Sequence, residues 1–472
     1  MILLWFAIGI GLPTLVGWLL VRLVEGNTPV LTPLERWMLG FVFGLTGTMF
    51  VTFCVHLLHT ISFRRAGFLA VQLGLVTVLG IPWLVLRRHW PSPPPLTPPP
   101  SGIRLPRWAL YCFGGLGLWT LLKTAFAAAT FLLLTPPAFD DVVDNWNFRG
   151  KVFFVLKKFV IDFSGDHTGA EGIGSYPPTV SMVKTMVASL AGTWNEALVN
   201  GVHLLWYVAV LLLVFALLRR AAGTLWALIG TYLLASLPLE LIQATSPYAD
   251  IFLSVHLFAA IGLLFLATLA PSSAKRLSWL RLSGVALALL VFTKNEALLL
   301  FIPLLIVLTA AVLFWLVRTG RLSFPNAIRG ALWHLLWFAL IAFPWIGFKW
   351  ANGLTFGNAH AISGLQIAWQ EGVPTAVWIN TFFEGNWIFL FPIFIGLLLW
   401  RRTEAFRSPI LLFSIFFLIL YTGQLTLYLF TFLSTEAVYQ TGYARGLIQL
   451  APIIVTIVTL LLAWNEDLRK ET

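Results

Sequence analysis

The sequence predicts an all-α protein, a polytopic bundle of about thirteen transmembrane helices, and three observations carry that reading. Only 10% of the 472 residues are charged and 59% are hydrophobic. An ordinary soluble protein is about 25% charged, so too few polar side chains remain here to cover a water-exposed surface. Uninterrupted apolar runs such as Leu211–Leu218, Ala259–Leu269 and Ile453–Trp464 sit inside longer apolar stretches. Roughly 20 such residues cross the hydrocarbon core as a helix, and a helix satisfies its own backbone groups in lipid. The 22 tryptophans and 39 phenylalanines suit lipid-facing surfaces and interfacial belts.

Taken in order, the spans fall near residues 2–21, 37–60, 66–86, 108–134, 197–218, 222–237, 250–270, 281–294, 297–317, 330–349, 387–400, 409–431 and 446–464. The first is apolar almost from Met1 and has no basic region ahead of it, so it is expected to be a retained span. Cys54 and Cys112 fall inside spans without a Cys or His at ligand spacing, and read as small packing residues. Residues 87–107 contain the run PSPPPLTPPPSG, an extended polyproline spacer. It divides an N-terminal three-span part, residues 1–86, from a core at 108–472.

Lys and Arg concentrate in cytoplasmic loops of membrane proteins. Placing the N-terminus outside puts Arg87, Arg88, Arg104, Arg107, Arg219, Arg220, Arg318, Arg321, Arg401 and Arg402 in the cytoplasm, together with the C-terminus. Arg64 and Arg65 lie on the opposite side and run against the pattern. The net charge of +11 is thus read as this cytoplasmic excess and not as a nucleic-acid surface. The expected location is the plasma membrane.

One connection, residues 135–196, is too long for a simple turn, and long connections between packed elements are usually functional or disordered. Its aromatic and aliphatic content predicts order. It opens with Thr135-Pro-Pro-Ala-Phe-Asp140-Asp141, two adjacent carboxylates behind a proline turn at the outer face. Asp141, Asn145 and Arg149 are spaced by four and share a helix face. Val142, Trp146, Phe153, Leu156 and Val160 form an apolar stripe, as in an amphipathic helix lying at the interface. A polar stretch with Asp166 and His167 leads to Ser175-Tyr176-Pro-Pro and a second amphipathic segment, 179–191.

An acidic pair at such a place can be no more than a helix cap with a first-turn acid. Other ionisable residues nevertheless gather at the same depth: Asp250 in Pro-Tyr-Ala-Asp, Lys294 and Glu296 in Thr-Lys-Asn-Glu, and Arg445 in Tyr-Ala-Arg-Gly. Charges inside a membrane are costly and mark functional sites. Collected on one face beside the large loop, they predict a polar cavity. Lys123 lies in mid-span with no role beyond a packed ion pair, and Arg445 can instead pair with Glu436 or with anionic lipid.

The run Asp140-Asp141-x-x-Asp-Asn-Trp146-Asn-Phe-Arg149-Gly-Lys151, followed by Tyr176-Pro-Pro, resembles the first outer loop of GT-C glycosyltransferases. The nearest likeness is to bacterial enzymes related to protein O-mannosyltransferases and to the lipid A aminoarabinose transferase. Tyr-Ala-Asp250, Thr-Lys-Asn-Glu296 and Arg445-Gly-Leu-Ile-Gln-Leu-Ala-Pro resemble later positions, so the likeness covers roughly residues 108–464. It implies a GT-C-like bundle whose first outer loop is structured and carries interfacial helices. It also implies transfer, on the non-cytoplasmic side, of a sugar from a polyprenyl phosphate to a glycan, lipid or protein acceptor. One carboxylate of the pair Asp140–Asp141 is then essential. The sequence departs from the aminoarabinose branch at Ser175-Tyr176-Pro-Pro, where a Lys would precede the prolines. The three N-terminal spans have no counterpart in the minimal family fold.

The residue chemistry accords with this. A carboxylate can take the acceptor proton as general base, and Arg445, Lys294, Lys151 or Arg149 can offset the charge of the departing lipid phosphate. Trp146 and Tyr176 offer stacking surfaces for a sugar. A divalent Mg or Mn ion would be held by Asp140, Asp141 or Asp250. The rival classes are a transporter or flippase of lipid-linked sugars, whose pathways also carry intramembrane charge, and a non-catalytic membrane scaffold.

Overall fold

The computed structural model describes residues 1–90, 106–134, 141–163, 173–356, 367–407 and 409–463. Every span read from the sequence coincides with a helix. In chain order they begin with α1 (Ile2–Glu25), α2 (Pro33–Leu57), α3 (Arg65–Leu86) and α4 (Arg107–Ala128). The outer loop contributes α5 (Asn147–Leu156), α6 (Thr179–Ala191) and α7 (Glu196–Asn200). Then come α8 (Val202–Ala222), α9 (Thr224–Ser236), α10 (Pro238–Thr245), α11 (Asp250–Leu269) and α12 (Ser273–Leu290). The remainder are α13 (Ile302–Arg318), α14 (Phe324–Ala351), α15 (Val373–Phe382), α16 (Leu390–Trp400), α17 (Arg402–Ala405), α18 (Leu411–Phe430), α19 (Ser434–Val438) and α20 (Tyr443–Ala463).

Among the described residues ten helices are long and apolar enough to cross a membrane. The pair α9 and α10, bent by 69° at the Leu237–Pro238 junction, makes an eleventh. Two further predicted spans differ for physical reasons. The helix α12 carries Lys275, Arg276 and Arg281, and α16 has only 11 residues.

The interior is built on α11 and α20, whose membrane portions are buried almost throughout, while α3, α4 and α14 show most of their surface. Exposed Trp119, Leu121, Phe126, Leu335 and Phe343 are what a lipid-facing belt requires. Cys112 lies on the exposed face of α4, not packed as its sequence position led us to expect, whereas Cys54 is half-buried.

The N-terminal hairpin is fastened to the core. Gly17 of α1 meets Gly40 and Gly44 of α2 so closely that a Cβ on any of the three would overlap facing backbone. Small residues at this spacing let membrane helices approach backbone to backbone. At the end of the hairpin Thr32 and Glu35 form a reciprocal capping box. Buried Glu25 accepts from the Val30 and Leu31 amides, each at 2.8 Å, and from Arg36 Nε at 2.7 Å. Arg220 of α8 then grips Glu35 through Nε at 2.7 Å and Nη2 at 2.5 Å. Thr46 on α2 meets His256 on α11 at 2.8 Å. Polar bonds inside the bundle thus tie the first two helices to the core.

Candidate active site

Several sequence elements converge on one cavity of about 410 Å³. Asp250 is its base. The helix α11 starts at Asp250, immediately after Pro247-Tyr248-Ala249, and the carboxylate is fully buried. A buried carboxylate needs positive partners and full hydrogen bonding, and Asp250 has them. Lys294 Nζ lies 3.0 Å from Oδ1, Gln449 Nε2 donates to the same oxygen at 2.8 Å, and Arg445 Nε donates to Oδ2 at 2.9 Å. The chain of charges extends at both ends: Lys294 reaches Glu296 Oε1 at 3.1 Å, and Arg445 Nη1 reaches Asp141 Oδ2 at 2.6 Å. Asp141, Arg445, Asp250, Lys294 and Glu296 therefore alternate in sign along one wall. Arg445 also lies over the Tyr248 ring, 4.6 Å from its centroid, and makes no ion pair with Glu436.

Three wide-wound helical turns occur among the described residues, at Ala129–Leu134, Val142–Trp146 and Ala297–Phe301. Two of them bound this cavity. The turn Val142–Trp146 brings Asn145 and Trp146 to its wall just after Asp141, and Ala297–Phe301 follows Glu296 and supplies Leu300. Such turns re-aim side chains at functional sites. Trp146 and Tyr176 line the same space with rings edge to face, 5.6 Å apart.

Asp141, Trp146, Tyr176, Asp250, Lys294, Glu296 and Arg445 thus share one cavity, and Asp140 lies outside the described residues. Two other candidates stand elsewhere. Arg149 is fully buried beneath the wall, where Nη2 donates to the Tyr176 carbonyl at 2.9 Å. Lys151 is exposed on α5 and does not line the cavity. The segment 179–191, expected to lie amphipathically at the interface, is buried on every face as α6. Its polar residues turn inward: Ser181 and Thr185 bond to the carbonyls of Trp146 and Gly150, and Lys184 to Asn147. His167 lies outside the described residues.

The structure adds residues that sequence reasoning passed over or, for Glu436, met only as a pairing partner of Arg445. Glu436 on α19 lines the cavity without an ion-pair partner among the described residues. Burial, countered by nearby Arg445 and reinforced by Glu296 and Asp141, holds its carboxyl above the usual range. Gly442 follows so closely that any Cβ would strike Glu436. Gln424, Tyr428 and Gln449 complete that side. Lys349, at the end of α14, donates to the Ser175 carbonyl at 2.6 Å and to Asn295 Oδ1 at 3.0 Å. Together Arg149 and Lys349 hold the Ser175–Tyr176 turn by its two carbonyls. The described residues assemble no group of three His, Cys, Asp or Glu able to hold a metal, and the carboxylates of Asp141 and Asp250 are engaged by cationic side chains.

No protein-family model and no curated protein sequence matches the chain. Solved structures do. ArnT from Cupriavidus metallidurans in the apo state superposes with a TM-score of 0.52 at 15% identity, over 76% of this chain. The same protein bound to undecaprenyl phosphate gives 0.52 at 14% identity, over 77%. The fold is of the GT-C type. The chain spans 62% of the length of those structures, so the likeness concerns architecture.

Proposed function

We propose that the protein is an integral membrane glycosyltransferase that moves a sugar from a polyprenyl-phosphate donor to an acceptor on the non-cytoplasmic face. The observation that carries this reading is the convergence of Asp141, Arg445, Asp250, Lys294 and Glu296 on one cavity within a GT-C fold. A solved structure of that fold binds undecaprenyl phosphate.

The chemistry follows from the charges. Asp141 is the cavity carboxylate nearest the outer loop, and its side chain is 40% exposed against 0% for Asp250. Asp250 is saturated by three donors and serves to fix Arg445 and Lys294. Asp141, on the exposed side of the cavity, would exchange its arginine contact for an acceptor hydroxyl. As that oxygen attacks the anomeric carbon, its proton passes to the carboxylate and the bond from sugar to phosphate oxygen breaks. General-base assistance of this kind is worth about 10²–10⁴-fold. Arg445, released from Asp141 on one nitrogen, offsets the charge growing on the departing phosphate. Tyr176, half-buried at the cavity wall, is the ring that a sugar would meet, since the Trp146 ring packed against it is fully buried.

The test is transfer of radiolabelled sugar from a panel of polyprenyl-phosphate sugars by the purified protein in detergent or nanodiscs. We expect turnover that falls at least ~100-fold in Asp141→Asn, with expression and thermal stability close to the parent because the residue is half-exposed. Movement of the intact lipid-linked sugar across vesicles without cleavage would instead identify a flippase. Turnover unchanged in Asp141→Asn would move the base to Asp140 or Glu436.

A further inference from the structure

Two segments of the cavity wall meet on one buried ammonium. Lys349 lies in the last turn of α14 and is fully enclosed. Its Nζ donates to the Ser175 carbonyl at 2.6 Å and to Asn295 Oδ1 at 3.0 Å. The first acceptor precedes Tyr176, whose ring lines the cavity. The second stands between Lys294 and Glu296, which line it too. A further bond, from the Thr179 hydroxyl to the Phe292 carbonyl, joins the same two segments beyond Tyr176 on one side and before Lys294 on the other. Lys349 thus sets their spacing next to the cavity residues themselves. The chain after α14 adds to the grip, because the Thr355 amide donates to Ser175 Oγ at 3.2 Å.

An ammonium is a costly way to fill this space. Among the described residues no carboxylate pairs with Lys349, and a buried charge held by neutral acceptors alone is destabilising. The rings of Trp345 and Phe356 are each centred 5.2 Å from Nζ, so an apolar chain of similar length would pack here more favourably. What the ammonium adds is direction. It has several donors on one atom and no acceptor, and it therefore holds two acceptors at a fixed separation. Beyond Asn295, Lys294 is bound to Asp250 at 3.0 Å and to Glu296 at 3.1 Å. The same ammonium therefore relates the Tyr176 ring to the cationic wall.

We propose that Lys349 is a positioning residue for sugar transfer: by holding Ser175 to Asn295 it sets the distance between Tyr176, on the sugar side, and Lys294, on the phosphate side. The proposal rests on the glycosyltransferase reading above. The bond that breaks joins sugar to phosphate, so an error in this spacing moves the anomeric carbon away from the attacking oxygen. A misplacement of ~1 Å costs about 10²-fold in rate. Arg445 and Lys294 keep their bonds to Asp250 without Lys349, so affinity for the phosphate is retained.

The test compares the full-length parent with Lys349→Met, Asn295→Leu and the double variant in nanodiscs. Lys349→Met is expected to lower kcat for sugar transfer at least ~10-fold, with equilibrium binding of a polyprenyl phosphate within about threefold of the parent. The double variant is expected to lose less than the product of the two single losses, because both substitutions remove the same bond. Unchanged kcat in Lys349→Met, a loss confined to lipid binding, or single losses that multiply in the double variant would each overturn the proposal. If Lys349→Met does not fold, Asn295→Leu, which spares the bond to Ser175, is read for the same split between kcat and binding. Hydrogen–deuterium exchange distinguishes a failed link from a failed transferase reading. Peptides covering residues 173–178 and 292–297 are expected to exchange faster in Lys349→Met, and unchanged exchange in both overturns the link whether or not the parent transfers sugar. Faster exchange in a protein whose parent shows no turnover would keep the link and refute the transferase reading alone.

Discussion

Arg445 holds two carboxylates at once, Asp250 through Nε and Asp141 through Nη1, and only a planar guanidinium can meet both in that geometry. Were it an interfacial anchor paired with Glu436 or with anionic lipid, it would not reach both. Arg445→Lys keeps the charge but loses the fork, so donor binding is expected to weaken by about tenfold and more in Arg445→Ala, in line with 1.5–3 kcal/mol for charge-assisted hydrogen bonds. Equilibrium binding of a polyprenyl-phosphate sugar checks this, and affinity equal to the parent in Arg445→Ala would make the residue purely structural. The cavity charges Asp141, Asp250, Lys294, Glu296 and Arg445 were legible in the sequence because ionised groups stand out in an apolar chain. Glu436 was visible only as a possible partner for Arg445, since nothing near it in sequence marks a cavity. Lys184 and Lys349 were not legible at all: each sits in an apolar helix whose partners come from distant segments. Arg149 illustrates the opposite error. Helix spacing put it on the face of Asp141, but the wide turn at Val142–Trp146 changes the phase of that face, and burial then turns the guanidinium beneath Tyr176.

At the level of elements, apolar run length was a sound guide to where helices lie and a poorer one to how they end. The pair α9 and α10 reads as one short span followed by a loop, because Leu237-Pro238 interrupts the pattern, yet the loop continues as a helix turned by 69°. The α1–α2 contact was legible in principle, as Gly40 and Gly44 are four apart on α2, but their partner Gly17 is identified only by the packing. The contact gives a sharp expectation. Gly44→Leu inserts a side chain where even a Cβ overlaps the Pro13 carbonyl, and overpacking costs about 1–3 kcal/mol. The melting temperature in detergent is expected to fall by several degrees, and so is expression. At Gly74, where the space beyond the Cα is open, the same substitution is expected to leave both unchanged. Equal melting temperatures for the two variants would show that α1 and α2 do not meet at this crossing.

Over the whole molecule, the chemistry depends on which face of the membrane the cavity opens toward, and the fold itself does not carry that sign. The basic clusters do. Arg318 and Arg321 flank the turn between α13 and α14, and Arg401 and Arg402 follow α16, so both turns are expected in the cytoplasm. The cavity, with Glu296 before α13 and Arg445 at the start of α20, lies at the opposite ends of these helices. On that topology it is expected to face away from the cytoplasm, where a lipid-linked sugar already moved across the bilayer would present its phosphate. Arg64 and Arg65 sit on the cavity side, but Arg65 lies over the Trp5 ring at 4.5 Å, so packing gives it a reason to be there. The decisive measurement uses a background in which Cys54 and Cys112 are replaced by Ala. A single cysteine is placed at Thr319, exposed in the α13–α14 turn, or at Glu371, exposed ahead of α15. With a membrane-impermeant maleimide added to intact cells, Glu371→Cys is expected to label and Thr319→Cys to label only after lysis. The reverse pattern would put the cavity in the cytoplasm, with the donor presented from the inner leaflet, and would exclude transfer on the outer face.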